Sequence, residues 1–113
     1  MTEKEEIMEK ARELGKAIRA SDEYKELVKA QKNLDEDEKT QKLLNEYNTE
    51  AQKIQMKQLT GENIDEDIKK LRDLEEKIMN RETMKKYAEA EKKFKDLVDD
   101  ANKAIVEAME KEE

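Results

Sequence analysis

The chain has 113 residues, 49% of them charged and 35% hydrophobic, with a formal net charge of −7. This length suits one compact domain, so we predict a single helical domain over residues 1–113. The negative charge opposes binding to nucleic acid and to anionic lipid headgroups. Because no segment has the pattern of a secretion signal or a membrane span, we expect a cytoplasmic protein with no membrane partner.

Three residue types that carry much of protein chemistry are absent, namely histidine, cysteine and tryptophan. Without cysteine the chain cannot form a disulfide, a thiolate zinc site or a cysteine-held iron–sulfur cluster. Without histidine it lacks the commonest general base and the commonest metal ligand. We therefore predict a protein that is not an enzyme, with no catalytic residue, no cofactor and no metal.

Proline is absent and glycine occurs twice, while Glu, Lys, Leu and Ala dominate. Such a composition with a helical apolar period favours a folded helical chain over a disordered one. We predict an all-α fold of about five helices in an antiparallel bundle with a long C-terminal helix.

The first helix is expected to begin after Thr2, and its apolar stripe predicts one buried face formed by Ile7, Ala11, Leu14 and Ile18. Ser21 can cap the second helix, which should run to about Leu34. The inward residues predicted for this second helix are Tyr24, Leu27, Val28, Gln31 and Leu34.

Asp35 is the predicted cap of the third helix, with Glu38 able to reach back to its amide. This helix should end near Thr60, because Gly61 follows where a left-handed residue commonly closes a helix. Its predicted stripe is Leu43, Leu44, Tyr47, Ala51, Ile54 and Gln58.

The fourth helix is expected to use Asn63 as its cap, with Glu66 completing the motif. Its predicted stripe is Ile64, Ile68, Leu71, Leu74 and Ile78. Asn80 marks either its end or a kink.

The last helix should run from about Glu82 to Lys111, with apolar residues at alternating spacings of three and four. A helix of about 30 residues spans roughly 45 Å, whereas a domain of this size has a radius of gyration of about 13 Å. Part of the last helix should therefore extend beyond its own domain, and the apolar stripe there needs another helix to cover it. We predict a homodimer in which the long helices pack together.

Two acidic runs, Asp35–Asp37 and Asp65–Asp67, superficially resemble calcium loops. Lysines stand where further ligands would be needed, so helix capping is the favoured interpretation for both runs. Paired carboxylates need a desolvated member for acid–base chemistry. We place none of the acidic residues on an apolar stripe and expect no such pair.

Gln52, Gln55 and Gln58 recur along one side of the third helix, where they could border a partner groove or form a buried network. Ordinary surface is the favoured interpretation. The other predicted interaction residues lie on the stripe of the last helix and are Tyr87, Phe94, Leu97, Ala101 and Ile105. An alternative is an RNA-associated factor that uses Lys85, Lys86, Lys92 and Lys93 beside Tyr87 and Phe94.

Several segments together resemble the YlbF/YmcA/YheA family of small helical proteins from Gram-positive bacteria. They are the run from Ala11 to Tyr24, the set Tyr47, Gln52 and Gln55, and Asn80 followed by the run from Tyr87 to Phe94. The resemblance covers nearly the whole chain. It implies a cytoplasmic helical dimer with a regulatory role in competence, biofilm formation or sporulation.

The best-known branches of that family join a complex that adjusts messenger-RNA processing by a membrane-anchored endoribonuclease. Some of their members hold iron–sulfur clusters through cysteines, so cluster binding does not carry over to this cysteine-free chain, which is most similar to the YheA branch. The family often has an Asn-Pro break before the last helix. Here Arg81 follows Asn80, which favours a more continuous passage between the last two helices.

Overall fold

The computed structural model describes residues 2–111, and within this range it contains five α-helices and no strand. They are α1 (Glu3–Arg19), α2 (Asp22–Glu36), α3 (Glu38–Leu59), α4 (Asp65–Met79) and α5 (Glu82–Glu110). The predicted all-α fold with a long last helix is confirmed. No helix in residues 2–111 is long and apolar enough to cross a membrane.

Three of the predicted helix boundaries are confirmed by their hydrogen bonds or torsions. The Thr2 side chain accepts a hydrogen bond from the Glu5 amide at the start of α1, and Ser21 Oγ accepts from the Tyr24 amide at 3.1 Å at the start of α2. Gly61 has φ 73°, the left-handed conformation expected after α3.

The predicted caps of α3 and α4 are wrong. Asp37, not Asp35, caps α3, and its side chain accepts a hydrogen bond from the Thr40 amide. Ile64 occupies the cap position of α4 without a side-chain hydrogen bond, while Asn63 Oδ1 accepts from the Asp65 amide at 2.9 Å. Asn63 therefore forms a local turn just before the helix rather than the predicted cap.

Close contacts divide the chain into two compact units. The central unit is Ala30–Ala88, and the terminal unit combines Met1–Lys29 with Glu89–Glu113. The division falls inside α2 and inside α5.

In the central unit, α3 and α4 run antiparallel. An ion pair later in α3 has its partner earlier in α4. Lys70 contacts Glu50, and Asp67 contacts Lys57 one helical turn or more further along. The apolar core consists of Ala30 and Leu34 from α2, Ile54 from α3, and Leu74 and Ile78 from α4.

The stripes of α2 and α3 differ from the prediction. On α2, Ala30 is buried while Val28 and Gln31 are exposed. On α3, the predicted residues are half-buried or buried except for Gln58, which is exposed, and buried Glu50 and half-buried Lys57 also lie on the inward face. The helical period of α3 therefore continues through charged residues that the apolar pattern alone does not reveal.

In the terminal unit, the predicted burial of the α1 stripe is not seen, since α1 contains no buried residue. Ile18 is half-buried, while Ile7, Ala11 and Leu14 are exposed. Further along, the Tyr24 ring lies 5.7 Å from the Phe94 ring, centre to centre, at an interplanar angle of 59°. This tilted aromatic contact joins α2 to α5 within the terminal unit.

Candidate protein-binding surface

The apolar stripe of α1 is uncovered along most of its length. Ile7 is 61% exposed, Met8 and Leu14 are also exposed, and only Ile18, near the end of the helix, is half-buried. An isolated helix of this length is marginal in water, and its stability normally comes from packing of the apolar face. The α1 stripe thus exposes apolar side chains along most of its length.

Exposure increases along α5 toward its C-terminal end. Ala90 is buried, Phe94, Leu97 and Ala101 are half-buried, and Ile105 is exposed. The apolar side chains exposed beyond Ala101 are Ala104, Ile105, Val106, Ala108 and Met109. The terminal unit therefore presents apolar side chains at the start of α1 and at the end of α5, and we call these two sets together the terminal apolar surface.

The interaction residues predicted from sequence lie in different environments. Tyr87 is half-buried in the central unit, and the other four α5 residues follow the gradient just described. Gln52, Gln55 and Gln58 are all exposed on α3. No contact of the described residues tests whether these glutamines bind a partner.

Two exposed apolar residues beside those glutamines were missed by the sequence reasoning. Met56 is 65% exposed and Leu59 is 80% exposed. They lie one turn apart on α3, off the inward stripe that guided the prediction. In the sequence they are two apolar residues out of phase with Ile54. Single apolar residues scattered over a surface are common, so this pattern alone does not indicate a binding site.

A buried charged cluster links α3 to α4 in the central unit. Glu50 is 3% exposed and Asp67 is 7% exposed, and both lie on the inward faces of their helices. Lys57 Nζ donates to Asp67 Oδ2 at 2.8 Å, with Lys53 Nζ 3.7 Å from Asp67 Oδ1. Lys70 Nζ lies 3.5 Å from Glu50 Oε2, while Glu50 Oε1 is buried without a hydrogen-bond partner among the described residues.

The electrostatics of this cluster follow from its hydrogen bonds. The hydrogen bond from Lys57 is the main cause that lowers the pKa of Asp67, against the opposing effect of burial. The same bond raises the pKa of Lys57. Our expectation that no acidic residue lies on an inward stripe is thus wrong, because these carboxylates are buried with lysine partners.

A second polar cluster surrounds Asp37 at the start of α3. Asp37 Oδ2 accepts hydrogen bonds from Thr40 Oγ1 and Thr83 Oγ1, each at 2.7 Å. Arg81 Nε donates to Thr40 Oγ1 at 2.9 Å, and Arg81 Nη2 lies 3.4 Å from Asp37 Oδ1. Hydrogen bonds from Thr83 and then Thr40 hold the pKa of Asp37 well below its ordinary value, and the Arg81 charge adds to this effect.

Neither cluster forms a recognisable catalytic arrangement. The carboxylates of both clusters are paired with cations, and no group of three acidic residues in 2–111 could hold a metal ion. Phe94 makes its tilted contact with Tyr24, and both aromatics beside the lysine pairs, Tyr87 and Phe94, are half-buried.

Comparison with known proteins places these features in a family. The family described as "Control of competence regulator ComK, YlbF/YmcA" matches residues 7–110. The chain is similar to UPF0342 proteins of Staphylococcus epidermidis, 32% identical over 101 residues covering 88% of this chain and 89% of the relative, and of Alkalihalophilus pseudofirmus, 31% identical over 105 residues covering 92% and 89%. No solved structure gives a significant match.

Proposed function

Because the chain belongs to the YlbF/YmcA family, we propose that it is a non-enzymatic, protein-binding adaptor that acts as a homodimer in a regulatory process. The observation that carries the proposal is α1, a helix of 17 residues with an apolar stripe and no buried residue. Such a helix gains little stability from packing against its own chain. An assembly that covers the apolar stripe would stabilise it.

A second copy of the chain is the occupant that we propose for the terminal apolar surface. In a two-fold dimer the same patch of both copies forms the interface, so this patch must be complementary to itself. Here α1 offers large side chains at Ile7 and Leu14, and the end of α5 offers small ones at Ala104 and Ala108 beside large ones at Ile105, Val106 and Met109. Large and small side chains on opposing helices interdigitate well, which supports contact of α1 with the α5 end of the partner.

Charges of both signs flank the two stripes and do not select this pairing. Glu6, Lys10 and Glu13 flank the α1 stripe, and Asp100, Lys103 and Glu107 flank the α5 stripe. The predicted interaction residues Phe94, Leu97, Ala101 and Ile105 would lie along this contact.

The family description names control of the competence regulator ComK. This wording supports a regulatory role for the present chain, in which the dimer would bind another protein rather than transform a substrate. The polar clusters agree with that role, since the carboxylates of both are engaged in contacts within the chain.

Sedimentation equilibrium at micromolar concentration tests the dimer. The expected mass is twice 13.4 kDa, and Leu14→Glu should return the chain to its monomer mass because it places a charge on the apolar surface. Leu59→Glu is the matched control, since it adds the same charge to an exposed leucine of the central unit. A monomeric parent chain, or equal dissociation by both variants, would contradict the proposed dimer.

Affinity capture from the native host tests the adaptor role separately. The parent chain should enrich a protein other than itself, and a deletion strain should show altered ComK-dependent expression. Capture of no protein beyond the chain itself, together with unaltered expression, would show that the adaptor proposal is wrong even if the dimer forms.

A further inference from the structure

The break between α2 and α3 consists of one residue. Glu36 is the last residue of α2, Glu38 is the first of α3, and Asp37 between them has φ −84° and ψ 92°. Its φ is near the helical value, whereas its ψ is far from it. No glycine or proline lies near the corner, and its local contacts are the Asp37–Thr40 cap and the Gln41 Nε2 hydrogen bond to the Leu34 carbonyl at 3.0 Å.

The contacts that hold Asp37 in this conformation come both from neighbouring residues and from another part of the chain. Thr40 provides local hydrogen bonds and has no solvent exposure. Thr83 and Arg81, more than forty residues away, contribute the Thr83 hydrogen bond at 2.7 Å and the Arg81 ion pair at 3.4 Å. Each of these contacts requires the Asp37 side chain to stay at the start of α3.

The distant partners belong to a second helix break that also lacks glycine and proline. Asn80, between α4 and α5, has φ −89° and ψ −4°, close to helical values, and the Arg81 amide donates to the Ile78 carbonyl at 3.0 Å. Arg81 and Thr83 therefore reach Asp37 from the break between α4 and α5. The two corners lie side by side within the central unit and share one polar cluster.

We infer that the cluster of Asp37, Thr40, Arg81 and Thr83 is a latch that keeps α2 and α3 apart, and that its release joins them into one helix. In the joined helix, the amides of Glu38 and Lys39 would donate to the carbonyls four residues earlier, Leu34 and Asp35. In the latched state these amides belong to the first turn of α3, where a helix offers them no such partner. Release thus exchanges side-chain contacts for backbone hydrogen bonds, which gives the corner two discrete arrangements.

Nuclear magnetic resonance on the full chain tests the latch at single residues. The double variant Arg81→Ala with Thr83→Val removes the distant partners and leaves Asp37 and its local contact with Thr40 in place. The Cα chemical shift of Asp37 should move from extended toward helical values. Hydrogen exchange at the amides of Glu38 and Lys39 should slow by roughly tenfold or more as these groups gain protection.

Asp35→Ala provides the matched control, because Asp35 is an acidic residue of the same corner whose contact is with Gln31 on its own helix, at 2.9 Å. It should leave the Asp37 shift and both exchange rates unchanged. Unchanged values in the double variant would overturn the latch, as would faster exchange with disordered chemical shifts. If the double variant does not fold, Thr83→Val alone decides between the same outcomes.

Discussion

Ile78 and Ile7 carry the same side chain on helices of similar length, yet Ile78 is 5% exposed and Ile7 is 61% exposed. The difference extends to whole regions. The central unit has a core from three helices and two polar clusters held by internal contacts, whereas Ala90 is the only buried residue in 2–29 and 89–111. The central unit therefore buries its apolar side chains within one chain, whereas most apolar side chains of the terminal unit are exposed or half-buried.

The largest expected effect comes from truncating equivalent isoleucines in the two units. Ile78→Ala should lower the free energy of unfolding by about 2–5 kcal/mol, since it leaves a cavity in a packed core. Ile7→Ala should change it by less than about 0.5 kcal/mol at concentrations where the chain is monomeric. Urea denaturation followed by circular dichroism measures both, and equal losses would contradict the contrast between the units.

The charged cluster of the central unit should make stability depend on pH. The pKa of Asp67 is lowered from its ordinary value of 3.8, so its contribution is complete above that value and is lost as the pH falls through the lowered pKa. The Lys57 contribution is complete below 10.5 and is lost as the pH rises through the raised pKa.

Asp67→Asn should therefore lower the urea midpoint at neutral pH and flatten the decline in stability below the ordinary Asp pKa of 3.8. Asp73→Asn, the same substitution at an exposed position of α4, is the control and should preserve both the midpoint and the decline. An acid limb in Asp67→Asn as steep as that of the parent chain would show that this cluster is not its source.

The smallest expected effects come from the two glycines, and they should have opposite signs. Gly61→Ala should destabilise the chain by about 1 kcal/mol, because Gly61 has φ 73° and a Cβ is unfavourable there. Gly15 lies inside α1, and a Cβ added there would meet no atom within 4 Å, so Gly15→Ala should stabilise the monomer by about 0.5–1 kcal/mol.

Thermal melts over a range of protein concentrations measure both glycine variants. A gain for Gly15→Ala that persists at every concentration would indicate that no partner backbone approaches this position. A gain that reverses at high concentration would indicate that a second copy packs closely against Gly15.

The sequence predicted those features that depend on neighbouring residues. Thr2 and Ser21 cap helices through amides three residues away, and Gly61 follows from the left-handed conformation that ends a helix. The length of α5 follows from an unbroken apolar period. Each of these features could be read from a short window of the chain.

The features that were missed depend on residues far apart in sequence. Asp35 and Asp37 are both acidic residues near the start of α3, and Asp37 is held there by Thr40 together with Arg81 and Thr83 from the α4–α5 corner. Glu50 and Asp67 lie at helical positions that face inward, but acidic residues are rarely buried unless they are paired. Their lysine partners lie on the opposite helix of the α3–α4 pair. Similarly, the apolar stripe of α1 predicts a buried face, but the stripe does not indicate which surface it packs against.

The uncovered stripe of α1 has a consequence for how the cell could set the activity of this protein. On the proposed assembly, the working species contains two copies, so at low concentration its abundance follows the square of the copy number. Modest changes in synthesis or turnover would then be amplified at the level of the pair. A lone protomer would present an amphipathic helix to proteolytic quality control, which would make gene dosage itself a regulatory variable.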